Sequence, residues 1–413
     1  MNKQYDAVIV GGGAAGLMAA VVLARTAPGI QIALLEKNDR VGKKLLTTGN
    51  GRCNLSNAGP LEGRYHGGKA FAAEVFRRFG REETLTLFRE IGIPVVELED
   101  RKLFPMSLQA GSVVDQLRFM AEQLGVQLCC CCEVRGILCR EDFSIKTSMG
   151  EISARQVLVA CGGRAAAATG SDGSGYALLE NFGHHLTRTY PAIVQLTTDT
   201  AKIKPLTGIK TNAAVTAQAG GRTRIESGEV LFTEYGLSGP PVLQVSRLIS
   251  EKGRGKIILD LLPSLAEAEI KEEISRRAKA FQGRECGSLL VGILHRRLGE
   301  TVIKCAGIPL PKPCGGLSDS QAAAIAREAK AFTLTATGTK PWNMAQVTAG
   351  GIDVLGFSPA TMESRMYDRL YAAGEILDVD GDCGGFNLQW AWSSGAVAAK
   401  AMAAAYQGEK QNA

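Results

Sequence analysis

The stretch Tyr5-Asp6-Ala7-Val8-Ile9-Val10-Gly11-Gly12-Gly13-Ala14-Ala15-Gly16 constrains the fold more than any other part of the chain. Its first six residues read as a strand buried on both faces. Gly11-x-Gly13-x-x-Gly16 supplies a tight turn, and residues 17–25 continue as a helix of small and aliphatic side chains that can pack closely on a sheet. Pro28-Gly29 ends that helix, and a second apolar strand, Ile32-Ala33-Leu34-Leu35, finishes on Glu36. This is a complete βαβ unit. The uncharged run over residues 7–24 has the length of a membrane span. Three successive glycines interrupt it and Asp6 precedes it directly, so strand, turn and helix explain it better and no membrane partner is expected.

A glycine turn between strand and helix leaves backbone N–H groups and the positive helix end free, with no side chain to keep a pyrophosphate away. Gly11, Gly13, Ala14, Ala15 and Gly16 are the residues that would meet it. Glu36, placed to accept hydrogen bonds from an adenosine ribose, disfavours a 2′-phosphate, so FAD or NAD fits better than NADP. The far end of the chain decides between them. Leu370-Tyr371-Ala372-Ala373-Gly374-Glu375 reads as a late buried strand ending in a glycine and an acid, and Gly384-Gly385-Phe386-Asn387-Leu388-Gln389 leads into a closing helix over 390–406. A helix N-terminus there would stabilise negative charge on a reduced flavin, an anchor that a simple NAD dehydrogenase does not need.

The 413 residues allow two or three domains. Lys and Arg number 47 against 41 Asp and Glu, a net charge of +6. That excess is dispersed, with local concentrations at 202–210 and 222–224 but no basic block interleaved with aromatics, so no nucleic-acid partner is expected. Eleven cysteines without a secretory leader point to free thiols in a reducing cytoplasm. A glycine-rich loop spans 42–57, and helices are predicted over 71–91 and 112–124, with strands over 126–138, 143–146 and 157–160. Past Pro191 the texture changes to short strands at 192–197, 211–218, 222–226 and 228–233, the pattern of a small antiparallel sheet or barrel. Helical periodicity covers 263–282, 288–306 and 318–331, and strand texture returns at 332–337 and 345–348. The expected organisation is a split nucleotide-binding domain (1–190 and 346–413), an inserted β-rich subdomain (191–262 and 332–345) and a helical subdomain (263–331).

Three segments carry a family resemblance: Gly49-Asn50-Gly51-Arg52-Cys53-Asn54; Leu231-Phe232-Thr233 with Gly236-Leu237-Ser238-Gly239-Pro240; and Gly384-Gly385-Phe386-Asn387-Leu388-Gln389-Trp390-Ala391-Trp392-Ser393-Ser394-Gly395. Over essentially its whole length the chain resembles the BaiN-type flavoproteins, also known as aminoacetone-oxidase-like FAD-binding proteins. The resemblance implies an α/β fold in which a glutathione-reductase-like, Rossmann-type FAD-binding domain is interrupted by a β-barrel-like and a helical subdomain. It also implies one non-covalent FAD, lined by Gly11, Gly13, Gly16, Glu36, Lys37, Lys44, Leu45, Asn50, Gly51, Arg52, Cys53, Asn54, Val134, Ala160, Gly162, Gly374, Glu375, Asn387 and Leu388. Two departures stand out: Cys161 replaces a usual Thr, and Glu234 stands where His is more common.

Arg52, Asn54, Tyr235, Asn387 and Trp390 are expected beside the flavin ring. Tyr235 is the candidate proton donor, because a phenol stays protonated at pH 7 and can protonate the carbon alpha to a carbonyl; the alternative is a packing residue at a strand end. Within the resembling family one assigned activity reduces a C=C bond conjugated to a 3-oxo group in bile-acid intermediates, which implies a steroid-like small-molecule substrate. The single dinucleotide fingerprint leaves NADH or NADPH as a transient co-substrate. A flavin oxidase of small amines such as aminoacetone, with Glu234 as its carboxylate, and a flavin-containing binding or regulatory protein stay open. Cys53 reads as a packing residue, with a redox role as the alternative. No metal is expected: on a strand, Cys129 to Cys132 would point to alternate faces, and His66, His184, His185 and His295 match no zinc spacing. His184 and His185 follow a glycine-rich turn at 170–176 that is either structural or site-lining.

Overall fold

A computed structural model of the chain describes residues 3–412. The chain divides into two units, one of Met1–Tyr190 with Gln346–Ala413 and the other of Pro191–Ala345.

The first unit is built on a seven-stranded sheet. Its parallel part runs Gln127–Cys129, Ile32–Leu35, Lys3–Val10, Gly150–Val159 and Leu370–Ala372. The long strand Gly150–Val159 also pairs along its first half, antiparallel, with Phe143–Thr147, which pairs in turn with Val134–Cys139. Ala7, Val8 and Ile9 have no exposed surface, as expected of a sheet covered on both faces. The helix Ala14–Thr26 is buried from Ala15 to Ala24, because the closing helix Phe386–Asn412 packs along its outer side. That packing is close enough to require glycine: a Cβ at Gly395 would lie 2.4 Å from the Ala15 carbonyl oxygen. The closing helix also carries Trp390 and Trp392, both buried, whose indole N–H groups donate to the carbonyls of Gly374 (2.9 Å) and Leu55 (3.0 Å). Trp390, expected at the flavin ring, is therefore a core residue, edge-on to Phe71 and Phe76.

The structure revises two elements here. The helix predicted over 71–91 is two, Lys69–Arg78 and Arg81–Glu90. Gly80 separates them, its N–H held by the Glu83 carboxylate at 2.9 Å and its carbonyl receiving the Thr84 N–H. The strand predicted over 126–138 is broken at the cysteine run, where Cys131 is left-handed at φ 54°. The alternation argument for Cys129 to Cys132 thus does not apply, since the backbone turns there. Its N–H groups at Cys131 and Cys132 donate to the carbonyls of Asn38 and Glu36, which ties the turn to the end of the second strand.

The second unit contains a closed six-stranded barrel in the order Leu196–Thr198, Gly236–Ser238, Arg222–Phe232, Lys210–Ala219, Gly255–Asp260 and Phe332–Thr339, the last pairing back to the first. The two strands predicted over 222–226 and 228–233 are one, with Gly228 inside it. The helix Pro240–Lys252, which the sequence reading omitted, buries Val242, Val245 and Ile249 against a barrel wall of Ala213, Val215 and Ala217. Small wall residues leave room for that helix. The helices Glu267–Ala280, Arg296–Cys305 and Asp319–Lys330 share the same apolar core. Among the described residues no helix is long and apolar enough to cross a membrane.

Candidate functional site

Three glycines of the first turn have different reasons to be glycine. Gly11 has φ 108°, and a Cβ there would lie 2.5 Å from the Ala160 carbonyl oxygen; at Gly16 it would lie 1.9 Å from the Gly11 carbonyl oxygen. Both are required by the protein's own packing. Gly13 has no neighbour within 4 Å of an added Cβ, and it starts a helix with no side-chain cap and no acidic residue in its first turn. An open position beside uncapped N–H groups is the cradle a pyrophosphate would fill, so these residues fit the phosphates of a dinucleotide.

Glu36 is buried at the end of the second strand. Its Oε2 accepts the Gly12 N–H at 2.9 Å, and its Oε1 accepts the backbone and side-chain N–H groups of Asn38 at 2.8 and 2.7 Å. A carboxylate offers about four acceptor positions, which leaves one for a ribose hydroxyl. Next to it, Lys37 pairs with Asp172 at 2.8 Å. Burial pushes the Asp172 carboxyl up, but hydrogen bonds from Lys37 and Ser174 outweigh it and hold the group down at about 2. Val134, half-buried, opens the strand that follows the cysteine turn.

Four segments converge beyond the turn. The Ala160 N–H donates to the Val10 carbonyl, and Gly162 follows in left-handed conformation at φ 75°. A Cβ at Gly163 would meet Thr348 Oγ1 and Glu375 Oε1, and one at Gly374 would lie 2.9 Å from the Ala15 Cβ, so the late Gly-Glu turn sits against the first helix. Glu375 pairs with Lys44 at 2.6 Å and accepts the Thr348 N–H at 2.8 Å. Thr348 Oγ1 in turn accepts the N–H groups of Arg164 and Ala165, and Ser394 Oγ accepts the Gly374 N–H. Thr348 and Ser394 were missed by sequence reasoning; Ser394 lay inside a recognised motif but had no role there. Burial pushes the Cys161 thiol up to about 12.

The 49–54 loop meets the start of the closing helix through Asn54. Oriented by its hydrogen bonds, its amide donates to the carbonyls of Ser56 (2.9 Å) and Leu103 (3.2 Å) and accepts the Gly385 N–H at 3.0 Å. Asn387 brackets the preceding turn, accepting from the Gly381 N–H and donating to the Gly381 carbonyl at 2.8 Å. Both amides hold backbone in place. Leu45 and Cys53 face the interior, and Leu388 is half-buried. Burial pushes the Cys53 thiol up to about 12 against a hydrogen bond with Thr48, so it is neutral at pH 7. Asn50, Gly51 and Arg52 are exposed. Beneath lies a second omission, the buried network in which Gln389 accepts from Ser56 and donates to Thr84 and Ser393. His184 is structural: it stacks on Phe357 at 4.2 Å, bonds Ser364 through Nε2, and is held neutral by burial with its pKa lowered to about 4.

Tyr235 belongs to the second unit, half-buried at the turn between the strands Arg222–Phe232 and Gly236–Ser238, with the Lys340 ammonium 4.3 Å from its ring centre. Glu234 beside it is exposed.

A βαβ turn with an open glycine, a buried acid at the end of its second strand and a C-terminal Gly-acid turn packed on the first helix defines a Rossmann-type flavin oxidoreductase. The chain belongs to the FAD-binding family described as HI0933-like protein Rossmann domain, the BaiN-like family, which it matches over residues 5–401. It is 37% identical over 402 residues to the 3-dehydro-bile acid delta(4,6)-reductase of Clostridium scindens, covering 96% of this chain and 98% of that protein. It is 29% identical to two ribosomal RNA dihydrouridine synthases. The one from Haemophilus influenzae matches across 95% of this chain and 97% of its own, and the one from Escherichia coli across 98% and 99%.

Proposed function

We propose that the chain is an FAD-dependent reductase of a C=C bond conjugated to a carbonyl, acting on a steroid-like small molecule in the cytoplasm with NADH or NADPH as electron source. The observation that carries this reading is the 37% identity, over nearly the full length of both chains, to a protein named for that chemistry. A dihydrouridine synthase saturates a ring C=C bond that is also conjugated to a carbonyl, so the reaction class is common to the relatives while their substrates differ.

When bound, FAD supplies the two electrons that such a reduction needs. Gly11, Gly13, Ala14, Ala15 and Gly16 would hold the pyrophosphate, and Glu36, with Lys37 and Val134 nearby, the adenosine. Lys44, Ala160, Gly162, Gly374 and Glu375 would line the ribityl chain, and Leu45, Asn50, Gly51, Cys53, Asn387 and Leu388 the ring side. A neutral, buried Cys53 thiol suits non-covalent binding. Arg52 and Asn54 are assigned to the reacting end, Asn54 by holding the start of the closing helix. Tyr235 is assigned to protonate the alpha carbon of the substrate.

Identity to two RNA-modifying relatives favours a second reading, in which a uridine in ribosomal RNA is the acceptor. Anaerobic stopped-flow absorbance tests both. Enzyme reduced by NADH or NADPH is mixed with a 3-oxo-4,6-diene steroid, with unmodified ribosomal RNA, or with oxygen. Fastest reoxidation by the steroid supports the proposal, and reoxidation by RNA alone moves it to uridine. Failure of NAD(P)H to reduce the flavin, with reduction by aminoacetone and fast reoxidation by oxygen, overturns it in favour of an amine oxidase.

A further inference from the structure

We propose that the second unit carries a binding site for a compact phosphorylated small molecule, a pyrophosphate-type anion, in the recess where the hairpin turn Gly220-Gly221, the end of the helix Pro240–Lys252 and the start of the strand Gly255–Asp260 meet. The site lies outside the first unit and does not depend on which substrate a flavin there would reduce.

The recess has a volume of about 420 Å³, within the range of small-molecule sites. Its polar lining is the Gln218 amide, the Lys252 ammonium, the Arg254 guanidinium and the Thr335 hydroxyl, with no carboxylate among them. Lys256 flanks it, directly paired with Gln218 on one neighbouring strand and with Thr335 on the other, and paired residues of adjacent strands share a face. The turn shapes one wall. Ala219 pairs with Arg222 across Gly220 and Gly221, both left-handed at φ 55° and 75°, the two-residue hairpin that glycine permits. A Cβ at Gly220 would lie 2.6 Å from Lys252 Cε, so its absence lets the lysine stem cross the turn. Charge here is one-sided: Arg222, Arg247, Lys252, Arg254 and Lys256 gather around a single acid, Glu251. That acid is already shared by Arg222, by Arg247 at 3.8 Å and by Lys252 at 3.0 Å, and the hydrogen bond from Arg222 above all holds its carboxyl below the usual carboxylate range. Lys252 also faces the negative end of its own helix. Arg254 and Lys256 have neither duty. Both are exposed, and among the described residues neither has a hydrogen-bond or ion-pair partner. Two unpartnered cations on one face repel each other, and a dianion between them turns that repulsion into attraction. Phosphate oxygens suit these donors, with the Arg254 fork taking two of them and the lysines acting as point charges. An RNA strand would find no aromatic side chain in the lining on which to stack a base.

The test is calorimetric titration of flavin-loaded protein with inorganic pyrophosphate at an ionic strength of about 0.15 M, where long-range surface charge is screened. One saturable site per chain is expected. Arg254→Gln and Lys256→Gln should each weaken it about tenfold, the factor of one charge-assisted hydrogen bond, and Arg254→Lys should keep part of the affinity. The double variant should lose binding while its melting temperature and flavin content stay as in the wild type. Competition then separates the sources of the phosphate, each outcome supporting the site: displacement of pyrophosphate by NADPH but not by NADH names the electron donor, and displacement by ATP or a sugar phosphate names another phosphorylated metabolite. Absence of saturable binding, undiminished binding in the double variant, or sulfate bound as tightly as pyrophosphate overturns the proposal. Binding confined to RNA or to phosphatidylglycerol vesicles, with none of pyrophosphate, also overturns it, in favour of a polyanion surface.

Discussion

Gly16→Ala and Gly13→Val separate what packing demands of the first turn from what a ligand demands. At Gly16 the added Cβ would lie 1.9 Å from the Gly11 carbonyl oxygen, a backbone atom that no rotamer change can move. Turn and helix would have to part by on the order of 1 Å in a close-packed layer, which places the cost at the upper end of overpacking, about 3 kcal/mol. At roughly 2–4 °C per kcal/mol for a unit of this size, the apo protein should melt roughly 6–12 °C lower. At Gly13 the backbone is ordinary, φ −82°, and the Cβ meets nothing, so valine costs the apo protein only about 1 kcal/mol as a poorer helix cap. Its effect should appear with cofactor. FAD at a hundred times its dissociation constant stabilises the wild type by about 2.7 kcal/mol, a rise of roughly 5–11 °C, which Gly13→Val should abolish. The assay is thermal unfolding of apo protein with and without FAD, together with flavin absorbance after gel filtration. Stoichiometric FAD in Gly13→Val would refute the placement of the phosphates, and an unchanged apo melting point for Gly16→Ala would refute the packing argument.

Glu36→Ala should weaken FAD binding by about ten- to a hundredfold, the range of one charged hydrogen-bonding group, and also lower apo stability, because Gly12 and Asn38 lose their acceptor; flavin titration and melting of the apo protein read the two effects. Tyr235→Phe should leave flavin content and reduction by NAD(P)H intact while slowing reoxidation by an enone in stopped flow; unchanged reoxidation removes it from the mechanism. The Asp172 carboxyl, held at about 2 below its ordinary 3.8, contributes stability that is complete above about pH 4 and lost as pH falls towards 2; acid unfolding of Asp172→Asn should lack that component. Native thiol labelling near pH 8 should modify exposed Cys131 and Cys139 and spare Cys53 and Cys161, whose thiols are pushed up to about 12; early labelling of Cys53, read by mass spectrometry, would reopen a redox role for it.

Where local physics suffices, the fold is legible in the sequence. The strand Ile32–Leu35 and the turn before the helix Ala14–Thr26 follow from an apolar run and three glycines. The helix Pro240–Lys252 had signals of its own, proline at its start and Gly253 left-handed at its end, but they lay in a tract whose strands dominate the pattern. Gly80 followed by Glu83 likewise signals a new helix start inside the apolar periodicity of 71–91. The cysteine turn had no local signal, because its backbone donors are satisfied by Glu36 and Asn38, about a hundred residues away in sequence.

The candidate site is legible in a narrower sense. Asn54 and Asn387 look in the sequence like ligand-binding amides, yet each one hydrogen-bonds the backbone around the closing helix start. Thr348 and Ser394 do the same for residues 164–165 and for Gly374, although Thr348 lies outside the motifs and Ser394, inside one, shows no sign of that role. The polar residues of the motifs therefore hold the main chain in place, whereas at Gly13 an added Cβ would meet nothing, so side-chain packing does not account for the glycine there. Among the side chains that this frame leaves exposed in the first unit are Arg52, Met106 and Leu108. The relatives at 37% and 29% identity over full length are named for different substrates, a bile acid and ribosomal RNA.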